Sequence, residues 1–196
     1  MKPALVILAA GASRRLGQPK ALAMIGGHSV LDRLLDAGAG LAGPSLVIAG
    51  ADWGPISAAV SDRADCVRHA DWANGRTGGV QLAASLRPAR DLCLAPVDVP
   101  LVPRSVFDEL VAAWEQAGRP AHGWLAPRCN GRFGHPVVIG RELIALWKDV
   151  PPGRPLRELR ALASPLLAAE TAVAAILDDL DTPEDLAALR ARASSL

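Results

Sequence analysis

The stretch LAAGASRRLGQPKAL, residues 8–22, decides how the rest of the chain is read. Ahead of it, ALVIL (4–8) is a short, mostly β-prone apolar run of the kind that forms a buried strand. Behind it, HSVLDRLLDAG (28–38) has the spacing of an amphipathic helix. Residues 9–22 between them hold two glycines, a serine, three cations and a proline. A strand that opens into a glycine-rich loop is a usual way to hold phosphate. Gly11 leaves out the Cβ that would block close approach, so its neighbours can turn backbone N–H groups toward an anion. Arg14, Arg15 and Lys20 add fixed positive charge, and arginine suits bidentate phosphate contacts. Two common phosphate loops are excluded by spacing. Gln18 follows Gly17 where the P-loop pattern needs lysine, and no Ser or Thr follows Lys20. Ser13 stands where the dinucleotide fingerprint needs its second glycine. A surface turn with solvated cations is the plainer reading, but such a turn does not need three cations after a buried strand.

Composition narrows the class. The chain has 196 residues, enough for one domain with a full core, and 51% are hydrophobic, so it is not a disordered chain. Its 21 basic and 20 acidic residues leave a net charge of +1, against the basic excess usual in nucleic-acid or membrane-surface binders. The apolar runs are too short to span a bilayer. The N-terminus has a lysine, an apolar run and small residues, as a signal peptide does. Pro3, the shortness of the run and the immediate Arg14–Arg15 pair favour strand plus loop. Cys66, Cys93 and Cys129 are widely spaced and odd in number, which suggests neither a disulfide framework nor a zinc site. A reduced, cytoplasmic setting is expected.

Apolar runs alternate with helical patterns. PSLVIAG (44–50), ADCVRH (64–69) and DLCLAPVD (91–98) read as further strands. Residues 55–60, GVQLAASL (79–86) and SVFDELVAAWEQAG (105–118) read as helices. In the last of these, Ser105 is the expected N-cap, with Asp108 three residues on and Gly118 as the stop. The βα order implies an α/β fold with a doubly wound, mostly parallel sheet, whose ligands sit at the carboxyl ends of the strands. After Pro120 the pattern changes. HGWLAPRCNGRFGHPVVIG (122–140) reads as two strands joined at Asn130–Gly131, and RELIALW and PLRELRALA as short helices. This last third is expected as a β-hairpin and helix insertion on the same sheet. The chain is then one domain, 1–196. At the end, Thr182 is the expected N-cap of a helix with Pro183 at its first position, and Glu184 and Asp185 favour its N-terminus.

Two acidic groups suit a hard cation. Asp98, in VDVP (97–100), ends a strand on the ligand side, and magnesium takes one or two carboxylates plus substrate phosphates. Capping the turn before Pro100 is the alternative role. In DDLDTPEDL (178–186), Asp179 and Asp181 share a face on an extended backbone. Helix initiation explains residues 182–185 but explains these two less well. In DWANGRTGG (71–79), glycines let a flat base approach the backbone. Trp72 could equally be packing, and Thr77 a helix cap.

Taken together, LAAG-x-S-x-R-x-G-x-x-K (8–20), D-x-P (98–100), the Trp72 and Gly75 loop, and D-x-D-T-P-E-D (179–185) resemble the MobA-like nucleotidyltransferases. Gly134, His135 and Pro136 match the G-H-P motif of that family's molybdenum cofactor cytidylyltransferase branch. The resemblance spans nearly the whole chain, with the motifs in order. It departs at TGGV (77–80), where serines are more usual, and at PPGRPLREL (151–159), where Gly153 and Arg154 match an acceptor element whose aspartate is absent.

The resemblance implies a Rossmann-like nucleotidyltransferase fold, with an NTP-binding half at 1–118 and an acceptor-binding half at 119–196. It implies nucleotide binding by Leu8, Ala9, Ala10, Gly11, Ser13, Arg14, Gly17, Trp72 and Gly75, and catalytic roles for Arg15 and Lys20. Asp98 and Asp181 would hold Mg²⁺, and Gly134, His135, Pro136 and Asp179 would border the acceptor. LAAG in place of LAGG leans toward CTP. The implied partners are CTP or another NTP, a molybdopterin-type phosphorylated acceptor and a molybdenum-enzyme apoprotein, with no nucleic acid and no membrane. His135 needs no general-base role, because a phosphate monoester is already ionised at neutral pH. Competing expectations are a relative acting on a sugar or alcohol phosphate or with GTP, and a non-catalytic nucleotide or cofactor carrier. A Rossmann dehydrogenase fails on the glycine fingerprint.

Overall fold

The computed structural model describes residues 1–60 and 62–194. Its centre is β1 (Ala4–Ala9), buried on both faces. Such a strand reads as a continuous apolar run because helices cover both sides. A two-residue turn at Gly26 and Gly27, with φ of 56° and 82°, joins β2 (Met24–Ile25) to β3 (His28–Ser29). The helix expected over 28–38 is α1 (Val30–Ala37); Ser29 caps it by accepting the Asp32 N–H at 3.0 Å. Then come β4 (Ser45–Ala49), α2 (Trp53–Val60), β5 (Ala64–Arg68), α3 (Arg76–Leu86), β6 (Leu92–Pro96) and α4 (Arg104–Gln116). The last third holds β7 (Trp124–Cys129), β8 (Arg132–Phe133), β9 (Val137–Ile139), α5 (Arg141–Ala145), α6 (Leu156–Ala161), β10 (Leu166–Glu170) and α7 (Pro183–Ala193).

Eight strands form one sheet in the order β10-β7-β9-β6-β1-β4-β5, with β8 paired to β7, and β2 and β3 form a separate ribbon. β1 pairs in parallel with β4 and β6, β4 with β5, and β7 with β10; β9 runs against both β6 and β7. The mostly parallel, doubly wound α/β fold is therefore as expected. Alternate residues of β1 feed opposite cores. Leu5 and Ile7 pack with Leu31 and Leu34 of α1, Phe107, Leu110 and Trp114 of α4, and Leu186 of α7. Ala4 and Val6 pack with Val80 of α3, Leu143 of α5 and Leu159 of α6. Trp114 donates to the buried Asp91 carboxylate at 3.0 Å, and Asp91 also accepts the Arg141 N–H at 3.0 Å, which joins α4 to α5 across the end of the sheet.

Several local expectations are corrected. α3 starts at Arg76, three residues early, so Gly78 and Gly79 lie inside it. A Cβ at Gly78 would meet the His69 ring at 2.9 Å, which is why small residues stand there. Thr77 does not cap α3; its hydroxyl donates to the Arg154 carbonyl. Pro103, not Ser105, is the N-cap of α4, and Asp108 pairs with Arg104 one turn back. The hairpin at Asn130–Gly131 forms, with φ of 50° and 77°, but its return strand divides into β8 and β9 around residues 134–136. The β2–β3 ribbon and the edge strand β10 were not expected. Leu166 of β10 is half exposed, and its alanines carry no strand signal. The three cysteines are free, and burial pushes the Cys93 thiol up to about 12.

Candidate active site

The carboxyl ends of β1, β5 and β6 surround a cavity of about 370 Å³, where a ligand of a doubly wound sheet would lie. The loop after β1 turns on Ser13, whose φ is 48°. Its carbonyl accepts the N–H groups of Leu16 and Gly17 at 3.1 Å, and its hydroxyl accepts the Lys20 N–H at 3.1 Å. Gly17, with φ of 74°, completes the turn. A Cβ at Gly11 would touch nothing within 4 Å, so the missing side chain opens space in the cavity instead of relieving a clash. Across the cavity, Trp72 begins a short 3-10 turn (Trp72–Asn74) packed on Gly50. A Cβ on Gly50 would meet the Ala10 carbonyl oxygen at 2.4 Å and Trp72 Cβ at 2.6 Å.

Of the residues singled out from sequence, Leu8, Ala10, Gly11, Ser13, Arg14, Arg15, Lys20, Trp72, Gly75, Asp98 and Asp181 line this one cavity. Ala9 does not; its side chain lies in the core beneath the loop. Gly17 shapes the turn without lining the cavity. Gly134 and His135 border a second cavity of about 500 Å³, and Pro136 is buried beside them without lining it. Asp179 lines a third, of about 350 Å³, with Asp98, Asp181 and His135.

The charges are arranged in pairs. Asp181 accepts from Lys20 Nζ at 2.5 Å on one oxygen and from Arg15 at 2.7 Å on the other. The Lys20 hydrogen bond, with the two cationic charges, holds the Asp181 carboxyl below its ordinary range against the opposing effect of desolvation. Its backbone is set by α7: the Asp185 carboxylate accepts the N–H groups of Asp181 and Thr182 at 2.9 and 2.8 Å, and Asp185 in turn donates its own N–H to the Thr182 hydroxyl. The capping box that starts α7 thus also aims Asp181. The Leu180 N–H donates to the Asp98 carbonyl at 2.8 Å, which ties the two acidic segments together. Burial, then the neighbouring Asp181 and Asp98 carboxylates, push Asp179 above its ordinary value.

Asp98 pairs through Oδ2 with Arg76 at 2.7 Å, while its Oδ1 is buried with no hydrogen-bond partner. A buried carboxylate oxygen without a donor fits a cation. Among the described residues no group of three or more His, Cys, Asp or Glu side chains could hold a metal. The unpartnered Asp98 oxygen suits a hard divalent ion that would keep waters and take phosphate oxygens; Asp181 is the other carboxylate on the same cavity, its two oxygens held by Lys20 and Arg15. His135 Nδ1 is also buried without a partner. Burial holds the ring below its ordinary value; Asp98 works against this, and Arg76 with it.

Sequence reasoning picked out Arg154, with Gly153, but missed Arg76, Arg157 and Arg160. All four arginines line the second cavity, and among the described residues no carboxylate does. The Arg160 guanidinium lies 4.5 Å from the Phe133 ring centre. The signal available was the run of arginines in GRPLRELR (153–160), three of them in eight residues.

A glycine loop on the first strand, with carboxylates across the switch point of a mostly parallel sheet, is the build of a Rossmann-like nucleotidyltransferase. The chain belongs to the MobA-like NTP transferase family, whose domain matches residues 5–170. It is a nucleotidyltransferase of that family. Rv0371c from Mycobacterium tuberculosis H37Rv shares the fold at a TM-score of 0.81 and 23% identity, over 97% of this chain and 98% of that one. A structure of Rv0371c in complex with manganese gives 0.77 and 21%, over 97% and 99%. Molybdopterin-guanine dinucleotide biosynthesis protein A from Archaeoglobus fulgidus aligns at 0.74 and 17%, over 98% and 99%. The 2-C-methyl-D-erythritol 4-phosphate cytidylyltransferase from Thermus thermophilus aligns at 0.72 and 19%, over 99% and 100%. These identities carry the fold and leave the substrates open. No curated sequence matches the chain. Among the described residues no helix is long and apolar enough to cross a membrane.

Proposed function

We propose that the protein transfers CMP from CTP to a molybdopterin-type phosphorylated acceptor, with Mg²⁺ and release of pyrophosphate, in a cytoplasmic setting. Residues 1–118 are the NTP-binding half of a single domain, and 119–196 the acceptor-binding half. The observation that carries this reading is a shared wall: Leu8, Gly75, Arg76 and Pro96 line both the 370 Å³ and the 500 Å³ cavities. Two phosphorylated molecules bound side by side can then bring their phosphates together.

The triphosphate lies over Gly11 to Gly17, where N–H groups, Arg15 and Lys20 meet its charge. The base lies against Trp72 and Gly75. Asp98 and Asp181 would hold a divalent cation, which would supply neutralisation of phosphate charge. An acceptor phosphate oxygen attacks the α-phosphorus, the bond to the α–β bridging oxygen breaks, and its electrons leave with pyrophosphate. Lys20 stabilises charge developing at the α-phosphoryl group. Positioning and charge provide most of the catalysis. Arg15 and Lys20 must leave Asp181 to meet the phosphates, which would free both Asp181 oxygens for a cation.

The second cavity favours a bulky acceptor over a small sugar or alcohol phosphate. Its volume is in the range of sites for drug-sized molecules, and Trp124, Phe133 and Leu156 give it an apolar face beside the arginines. The test is pyrophosphate release with Mg²⁺ and each of CTP, GTP, ATP and UTP, with and without molybdopterin carrying molybdate. Release only with CTP and that acceptor is expected. Release with a sugar phosphate instead replaces the acceptor, and tight nucleotide binding with no release from any pair means a carrier.

A further inference from the structure

Arg76 is the one described residue that lines all three cavities. Its guanidinium donates to Asp98 Oδ2 at 2.7 Å, the carboxylate whose other oxygen is buried and unpartnered. The side chain is 67% exposed, and this pair is its one ion pair among the described residues. Its backbone, by contrast, is held firmly. Gly75 precedes it at φ of 121°, and a Cβ on Gly75 would meet the Pro152 carbonyl oxygen at 2.9 Å, on the wall of the second cavity. An exposed guanidinium thus stands on a fixed base, where the first and second cavities meet the acidic groups. The other arginines of the second cavity, Arg154, Arg157 and Arg160, do not line the first.

We propose that Arg76 is a substrate-contacting residue. It neutralises Asp98 in the resting chain. With Asp98 engaged by a divalent cation, Arg76 would be repelled from it by like charge, and its guanidinium turns to the acceptor phosphate entering from the second cavity. This rests on the transfer reading above. In the step, the acceptor oxygen bonds to the α-phosphorus and the α–β bridging bond breaks. Arg76 stays protonated throughout and exchanges one carboxylate partner for a phosphate one. It shields two anions that must approach each other.

Two opposite effects distinguish this from a solvated surface cation. Removing the charge frees Asp98 for metal but deprives the acceptor phosphate of its donor. Mn²⁺ binding to the full chain, followed by electron paramagnetic resonance, is expected to tighten by about threefold or more in Arg76→Gln, the modest size reflecting solvent screening. Inorganic phosphate, titrated calorimetrically with Mg²⁺ and the α,β-methylene analogue of CTP present, is expected to bind about tenfold more weakly in that variant. Arg76→Lys should keep the competition with Mn²⁺ and recover part of the phosphate binding. Unchanged Mn²⁺ affinity overturns the proposal. So does phosphate that fails to bind the unaltered chain, or that binds Arg76→Gln equally well. Neither measurement needs turnover, so a failed pyrophosphate assay overturns the transfer reading separately.

Discussion

Lys20 and Asp181, 161 residues apart in sequence, meet with Nζ 2.5 Å from Oδ1. The pair closes the loop after β1 onto the segment that starts α7, and Arg15 binds the second oxygen at 2.7 Å. Lys20→Ala is expected to lower kcat/KM for nucleotidyl transfer by about a hundredfold or more, as for removal of a donor to developing charge. Steady-state pyrophosphate release measures this.

The same pair makes a stability prediction. The Asp181 carboxyl is held down in the native state, so its contribution is present above its ordinary value of 3.8 and is lost as pH falls through the native value. Arg15 is largely exposed, which weakens its share. Asp181→Asn should therefore change urea stability at neutral pH by no more than about 1 kcal/mol while abolishing metal-dependent turnover. A large stability loss without loss of turnover would make Asp181 a structural residue.

Asp98→Ala is expected to abolish metal-dependent pyrophosphate release and Mn²⁺ binding, with the fold retained by circular dichroism. Full activity in that variant removes the metal assignment.

His135 predicts an acid limb in stability. The native ring is held below its ordinary 6.5, chiefly by burial. Below about pH 6.5 the unfolded chain takes up a proton that the native state resists, so stability falls as pH falls toward the native value. Urea midpoints between about pH 5.5 and 7.5 should decline on the acid side, and His135→Gln should flatten that slope. An unchanged slope in the variant sinks the assignment to His135.

Gly50→Ala tests the seating of Trp72. The new methyl would collide with Ala10 oxygen and Trp72 Cβ, both backbone-anchored. A loss of about 1–3 kcal/mol in urea stability is expected, as for overpacking, together with weaker nucleotide binding by calorimetry. Wild-type values for both would show that the two loops separate freely.

Much of this was legible along the chain because the signals are local. The buried run 4–8 foretells β1, and Thr182 with Pro183 foretells the start of α7, since capping satisfies backbone groups within one turn. The loop residues from Gly11 to Lys20 stood out by spacing. Arg76 did not, because its meaning depends on Asp98, 22 positions on and across the sheet. β10 was missed because an edge strand needs little apolar patterning of its own; pairing with β7 decides it.

The order of strands and helices, the glycine-rich loop after β1 and the two acidic segments follow from residues close to one another in the chain, where periodicity, caps and turn residues act. Which cation faces which carboxylate, and that arginines but no carboxylate among the described residues line the second cavity, arise only when the sheet brings its strand ends together. Coulomb attraction depends on distance through space, and that distance is set by packing.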